Sequence, residues 1–127
     1  MIYLDTSVVL AQLLAGDRKP DPAIWREPLL SSRLIEYETW VRVHARGLDR
    51  SHGDAARDLL SRISFVELSA DVLRRAVEPF PTPLRTLDAL HLASVEFLRG
   101  RGTKLRLATL DDRMRTAARA LRIPTVG

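Results

Sequence analysis

The sequence predicts an α/β protein: a single-domain α/β/α sandwich around a central, mainly parallel sheet of four to five strands. Three observations predict it. Short apolar runs alternate along the chain with stretches of helical spacing, the pattern of a parallel sheet covered by helices on both faces. The runs at residues 2–4 and 105–110 each end at an acid, Asp5 and Asp111, and open sheets of this class bind ligands at the carboxyl ends of their strands. The chain has 127 residues, 46% of them apolar. That is the size and core of one domain, 1–127, and no linker, repeat or low-complexity tract divides it.

The elements follow in order. Residues 2–4 form a buried strand, and 8–14 a short helix with Thr6 or Ser7 as N-cap. Residues 16–28 carry three prolines and read as a loop, with at most a brief helix around Trp25. A second strand spans 29–31, and Ser32 caps a helix over 33–46 that Gly47 ends. Helical spacing over 51–63 precedes a strand at 64–68. Ser69 or Asp71 caps a helix that Pro79 stops, and Pro81, Thr82 and Pro83 form a loop. A long helix over 84–98 closes at Gly100 and Gly102. A strand at 105–110, a helix at 112–121 and a short strand at 125–126 complete the chain.

Composition excludes several chemistries. There is no cysteine, so disulfides, thiolate metal sites and Cys nucleophiles are ruled out. The opening Met-Ile-Tyr-Leu-Asp lacks a basic n-region, and Asp5 interrupts the first apolar run, which argues against a signal peptide. The longest apolar stretch, 8–15, contains Gln12 and is too short to span a membrane. The expectation is a soluble cytoplasmic protein without membrane contact. The net charge of +4 permits a polyanionic partner. All but two of the 20 basic residues, Lys19 and Lys104, are arginine, a bias that GC-rich coding also produces.

Acidic residues on inward positions carry the chemistry. On the helix over 33–46, Leu34, Val41 and Ala45 fall on one face, and Glu38 sits in that stripe. On the helix over 84–98, Asp88 flanks the stripe of Leu84, Leu87, His91, Val95 and Leu98, aligned with Leu92. A buried carboxylate needs a compensating cation or basic partner. Asp5, Glu38, Asp88 and Asp111 come from four elements, and a set of carboxylates without His or Cys partners suits a hard cation, Mg²⁺ or Mn²⁺. Each has a plainer reading. Asp5 ends a strand, Glu38 stands four residues before Arg42 as in a surface ion pair, Asp88 has Arg85 and His91 nearby, and Asp111 has the place of an N-cap. Asp112 competes with Asp111 for both roles. Thr6, Ser7 and Thr109 read as caps or as hydroxyl donors behind the acids. His44, His52 and His91 show no metal-ligand spacing and read as structural or surface groups; Glu27 and Glu36 read as solvated.

No Gly-rich phosphate loop or Ser elbow is present, so NTPase and hydrolase-triad chemistry lack a foothold. A receiver-like domain would need a Lys after the last strands, and Lys104 precedes its strand. A phosphatase of the haloacid dehalogenase type would need a second Asp where Ser7 stands.

At these residues the sequence resembles the PIN-domain family, and within it the VapC toxins. Met-Ile-Tyr-Leu-Asp-Thr-Ser at 1–7 is similar to the family's opening element. Ser-Ser-Arg-Leu-Ile-Glu-Tyr-Glu at 31–38 resembles its second, ending in the acid Glu38. Leu-Asp-Ala-Leu-His-Leu-Ala at 87–93 is similar to its most diagnostic run, and Ala-Thr-Leu-Asp-Asp-Arg-Met at 108–114 to the element supplying the fourth acid. The four occur in order over nearly the whole chain. The resemblance implies one or two Mg²⁺ or Mn²⁺ ions held by Asp5, Glu38, Asp88 and Asp111, with Asp112 as a water-mediated or alternative ligand. It implies endonucleolytic hydrolysis of RNA by metal-activated water, a homodimer, and a VapB-like antitoxin covering the site. A catalytically silent PIN fold that binds RNA or protein is the alternative.

Overall fold

Strand β1 (Ile2–Leu4) is wholly buried at the centre of the sheet. Helix α1 (Thr6–Leu14), a 3-10 turn (Pro22–Arg26), β2 (Leu29–Ser32), α2 (Leu34–Ala45) and α3 (Asp49–Ser61) follow. The second half comprises β3 (Ile63–Val66), α4 (Ala70–Ala76), α5 (Thr86–Gly100), β4 (Arg106–Ala108), α6 (Asp112–Ala120) and β5 (Thr125–Val126). The structure, a computed structural model, describes residues 1–14 and 18–126; the start of the predicted 16–28 loop therefore lies outside the described residues. The strands lie in the order β3-β2-β1-β4-β5, and every neighbouring pair is parallel. The predicted α/β/α sandwich, with five strands, is the observed architecture.

Strand side chains alternate between faces, and the sheet separates two cores accordingly. Ile2, Leu4 and Leu29 pack with Val8, Val9 and Leu13 of α1, Ile35 and Val43 of α2, and Ala56 and Leu60 of α3. Tyr3, Leu30 and Leu107 point the other way, against Leu92 and Val95 of α5 and Met114, Ala117 and Ala118 of α6. Two-sided burial explains why the strands read as unbroken apolar runs.

Helix ends follow the local chemistry. Gly47 (φ +65°) terminates α2: its N–H donates to the His44 carbonyl while Leu48 N–H donates to Val43, the paired bonds of a left-handed C-terminal cap. The same two-bond pattern ends α6 with Arg122 at φ 59°, a conformation a side chain adopts at a cost. Ser69 caps α4 by accepting from Val72 N–H.

Four expectations need correction. Neither Thr6 nor Ser7 caps α1, because the helix starts directly at Thr6 and both hydroxyls turn to acids instead. The buried face of α2 is Ile35, Thr39 and Val43 rather than the predicted Leu34–Val41–Ala45 stripe, and Val41 is exposed. Ile63 begins a strand rather than ending a helix, since it pairs with Leu29. The strand predicted over 105–110 is shorter, and Thr109 and Leu110 belong to the turn that reaches the site. Among the described residues, no helix is long and apolar enough to cross a membrane.

Candidate active site

Chain order reverses across β1, since β2 lies on one side and β4 on the other. Parallel sheets open a crevice beyond the carboxyl ends at such a switch point. Asp5 follows β1 there, its N–H donating to the Ala108 carbonyl of β4 at 3.0 Å. Around it lies a cleft of about 280 Å³ lined by Asp5, Glu38, Asp88 and Asp111 together with Thr6, Ser7, Leu10, Tyr37, Val41, Arg42, Arg85 and Leu87. The fold thus brings four of the predicted acids to one cleft from β1, α2, α5 and the β4–α6 turn. Asp112 is not among them: it is exposed, faces a neighbouring groove with Thr82, Pro83, Arg113 and Thr116, and stands 3.6 Å from Arg115.

Three of the four acids are held by one oxygen only. Asp5, 3% exposed, accepts at Oδ2 from Ser7 Oγ (2.7 Å) and Thr109 Oγ1 (2.8 Å). Ser7 Oγ in turn accepts from Leu110 N–H, and Thr109 Oγ1 from Asp111 N–H, so the turn after β4 is tied to the same carboxylate. Glu38 accepts at Oε1 from Thr6 Oγ1 (2.8 Å) and His91 Nε2 (2.7 Å). Asp111 caps α6, accepting at Oδ1 from Arg113 and Met114 N–H. In the hydrogen bonds described, each uses a single oxygen. Glu38 forms no ion pair with Arg42; among the described residues its ion-pair partner is His91.

Asp88 differs: among the described residues its carboxylate has no hydrogen-bond donor. Half-burial first, and then the charges of Asp5 and Asp111, push its pKa from 3.8 up to about 6, against smaller pulls from His91 and Arg85. His91 is fully buried. Burial pulls its imidazole down, but the Tyr3 oxygen, the hydrogen bond to Glu38 and the charges of Asp5 and Glu38 outweigh that and raise it to about 10.

His91 and Tyr3 were not read as site residues from the sequence, although the inward stripe on α5 already held His91. The cleft cations Arg42 and Arg85 were missed in the same way; nothing in their spacing marks them. Glu36 and Glu27, expected to be solvated, form exposed ion pairs with Arg33 and Arg106.

An all-oxygen donor set fits a hard cation. Among the described residues no three His, Asp or Glu side chains stand close enough together to hold a metal ion as they are placed.

Residues 2–120 match the PIN domain family model. Ribonuclease VapC46 of Mycobacterium tuberculosis is 35% identical, the match covering 94% of this chain and 92% of that protein. Ribonuclease VapC35 of the same species is 30% identical, with 99% and 96% covered. Two solved structures share the fold. M. tuberculosis VapC20, described as a sarcin-ricin loop cleaving toxin, superposes with a TM-score of 0.70 at 24% identity, over 92% of this chain and 95% of that one. A toxin–antitoxin complex from Klebsiella pneumoniae gives 0.66 at 18% identity, over 100% and 97%. The chain belongs to the PIN-domain family and is of its VapC type.

Proposed function

We propose that the chain is a Mg²⁺- or Mn²⁺-dependent endoribonuclease, the toxin of a VapB-like antitoxin pair, acting in the cytoplasm as a homodimer. The observation that carries the reading is the convergence of Asp5, Glu38, Asp88 and Asp111 on one cleft at the sheet's switch point. Uncompensated, these carboxylates would repel each other and a phosphate backbone alike; the proton affinity of Asp88, raised first by burial, is raised further by the charges of Asp5 and Asp111. They are the residues that would hold the cation. A cation bound there supplies charge neutralisation, polarisation of the phosphate, and water acidic enough to react at neutral pH.

The protein's own groups do the rest. Thr6, Ser7 and Thr109 fix the oxygens of Glu38 and Asp5 so that the remaining oxygens keep one orientation. Arg42 and Arg85, lining the same cleft, take the phosphates flanking the scissile bond. Such contacts make binding fall with salt, by a log–log slope of about −0.7 per neutralised phosphate on single strands. The relatives named as ribonucleases support RNA as the substrate, and the likeness to a chain of a toxin–antitoxin complex is in keeping with an antitoxin partner.

The test is the chemistry of the product ends. Hydrolysis by water gives 5′-phosphate and 3′-hydroxyl termini and tolerates a 2′-deoxy nucleotide at the scissile position. Cyclic 2′,3′-phosphate ends, or strict need for the 2′-hydroxyl, would overturn the reading in favour of metal-free attack by the ribose.

A further inference from the structure

Behind the cleft runs a buried hydrogen-bonded relay that the four acids do not account for. The Ser32 N–H, at the end of β2, donates to the Tyr3 hydroxyl at 3.1 Å. That hydroxyl lies 2.9 Å from His91 Nδ1, and the two rings pack edge-on with centroids 5.8 Å apart. On its far side, His91 Nε2 lies 2.7 Å from Glu38 Oε1 and 3.1 Å from Thr6 Oγ1. Tyr3 and His91 are both fully buried. An ionised Glu38 can only accept, so Nε2 carries the proton and donates. Burying an imidazole is costly where an apolar side chain would pack as well, and its two partners fix the ring at both nitrogens.

We propose that His91 is a positioning residue: backed by Tyr3, it holds the Oε1 edge of Glu38 and leaves Oε2 as the oxygen that meets the cation. The inference rests on the metal-dependent reading above. Thr6 grips the same Oε1 from α1, so two elements aim one carboxylate. Outer partners of this kind are worth 10–100-fold in metal affinity.

Two amide substitutions of equal polarity separate positioning from mere packing. His91→Gln sets an N–H near the place of Nε2, whereas His91→Asn reaches only as far as Nδ1. Mn²⁺ affinity of the purified chain, read from the EPR signal of free Mn²⁺, should fall 10–100-fold in His91→Asn and within about threefold of wild type in His91→Gln. In a Glu38→Ala background, His91→Asn should cause no further loss, because it acts through Glu38. Circular dichroism accompanies each titration. Should His91→Asn be unfolded at the assay temperature, Tyr3→Phe carries the test, with a loss of threefold or more expected and unchanged affinity refuting the proposal. Wild-type affinity in folded His91→Asn, or an equal further loss in the Glu38→Ala background, overturns it. A wild-type chain that binds no Mn²⁺ overturns the metal-dependent reading itself, a distinct result.

Discussion

Replacing Asp88 by Asn should make the metal-free protein more stable while abolishing its response to metal. Asp88 is half-buried, its carboxylate has no donor among the described residues, and its pKa is pushed from 3.8 to about 6. Because the folded state favours the protonated form, this group's contribution is fully present below pH 3.8 and is lost as pH rises through about 6. The full linkage is roughly 3 kcal/mol, and solvent screening of a half-exposed carboxylate reduces it to about 1 kcal/mol. An isosteric amide removes the charge without a cavity. In EDTA above pH 6.5, Asp88→Asn should then melt about 3–5 °C above wild type, the difference vanishing towards pH 4. Saturating Mn²⁺ should reverse the order, since a ligand at about 100 times its Kd adds roughly 2.7 kcal/mol to the form that binds it. Thermal melts of both proteins at several pH values, with EDTA or Mn²⁺, measure all of this. A variant less stable than wild type in EDTA at pH 7, or stabilised equally by Mn²⁺, would refute the reasoning.

Other outcomes follow from the same geometry. Asp5→Asn should lower cleavage at least about 100-fold, some 2.7 kcal/mol of barrier, with an unchanged circular dichroism spectrum, since the amide oxygen still accepts from Ser7 and Thr109. Thr109→Val, removing a buried donor to Asp5 Oδ2, should weaken Mn²⁺ binding about 10-fold or more by calorimetry. His91 ring nitrogens should read as imidazolium by ¹⁵N NMR to above pH 8, as the raised value requires; a neutral ring at pH 7 would contradict it. Arg122→Gly, relieving the left-handed residue after α6, should raise the melting temperature by a few degrees, equivalent to about 1 kcal/mol, without altering cleavage.

The layers and strand sequence were legible because two-sided burial writes itself as apolar runs, and because Gly47 and Ser69 punctuate helices by local chemistry. Boundaries were less so. Ile63 satisfies helical spacing and strand propensity equally, and only its pairing with Leu29 across the sheet decides. The stripe on α2 was misplaced because Thr39, polar by type, is buried while Val41 is exposed at the cleft. The acids could be picked out as carboxylates at strand ends and on helix faces. Which of Asp111 and Asp112 enters the cleft depends on the turn after β4, where capping of α6 directs Asp111 inward and leaves Asp112 in solvent. The relay from Tyr3 through His91 to Glu38 joins residues far apart in sequence, and only packing across the sheet reveals it.

The most direct test of the central claim is cleavage of total cellular RNA by purified, antitoxin-free protein in Mg²⁺ or Mn²⁺, with EDTA and Asp5→Asn as controls. The account predicts discrete fragments that disappear in EDTA, return with added Mn²⁺ and never form with Asp5→Asn. Fragments that persist in EDTA or with Asp5→Asn would contradict it.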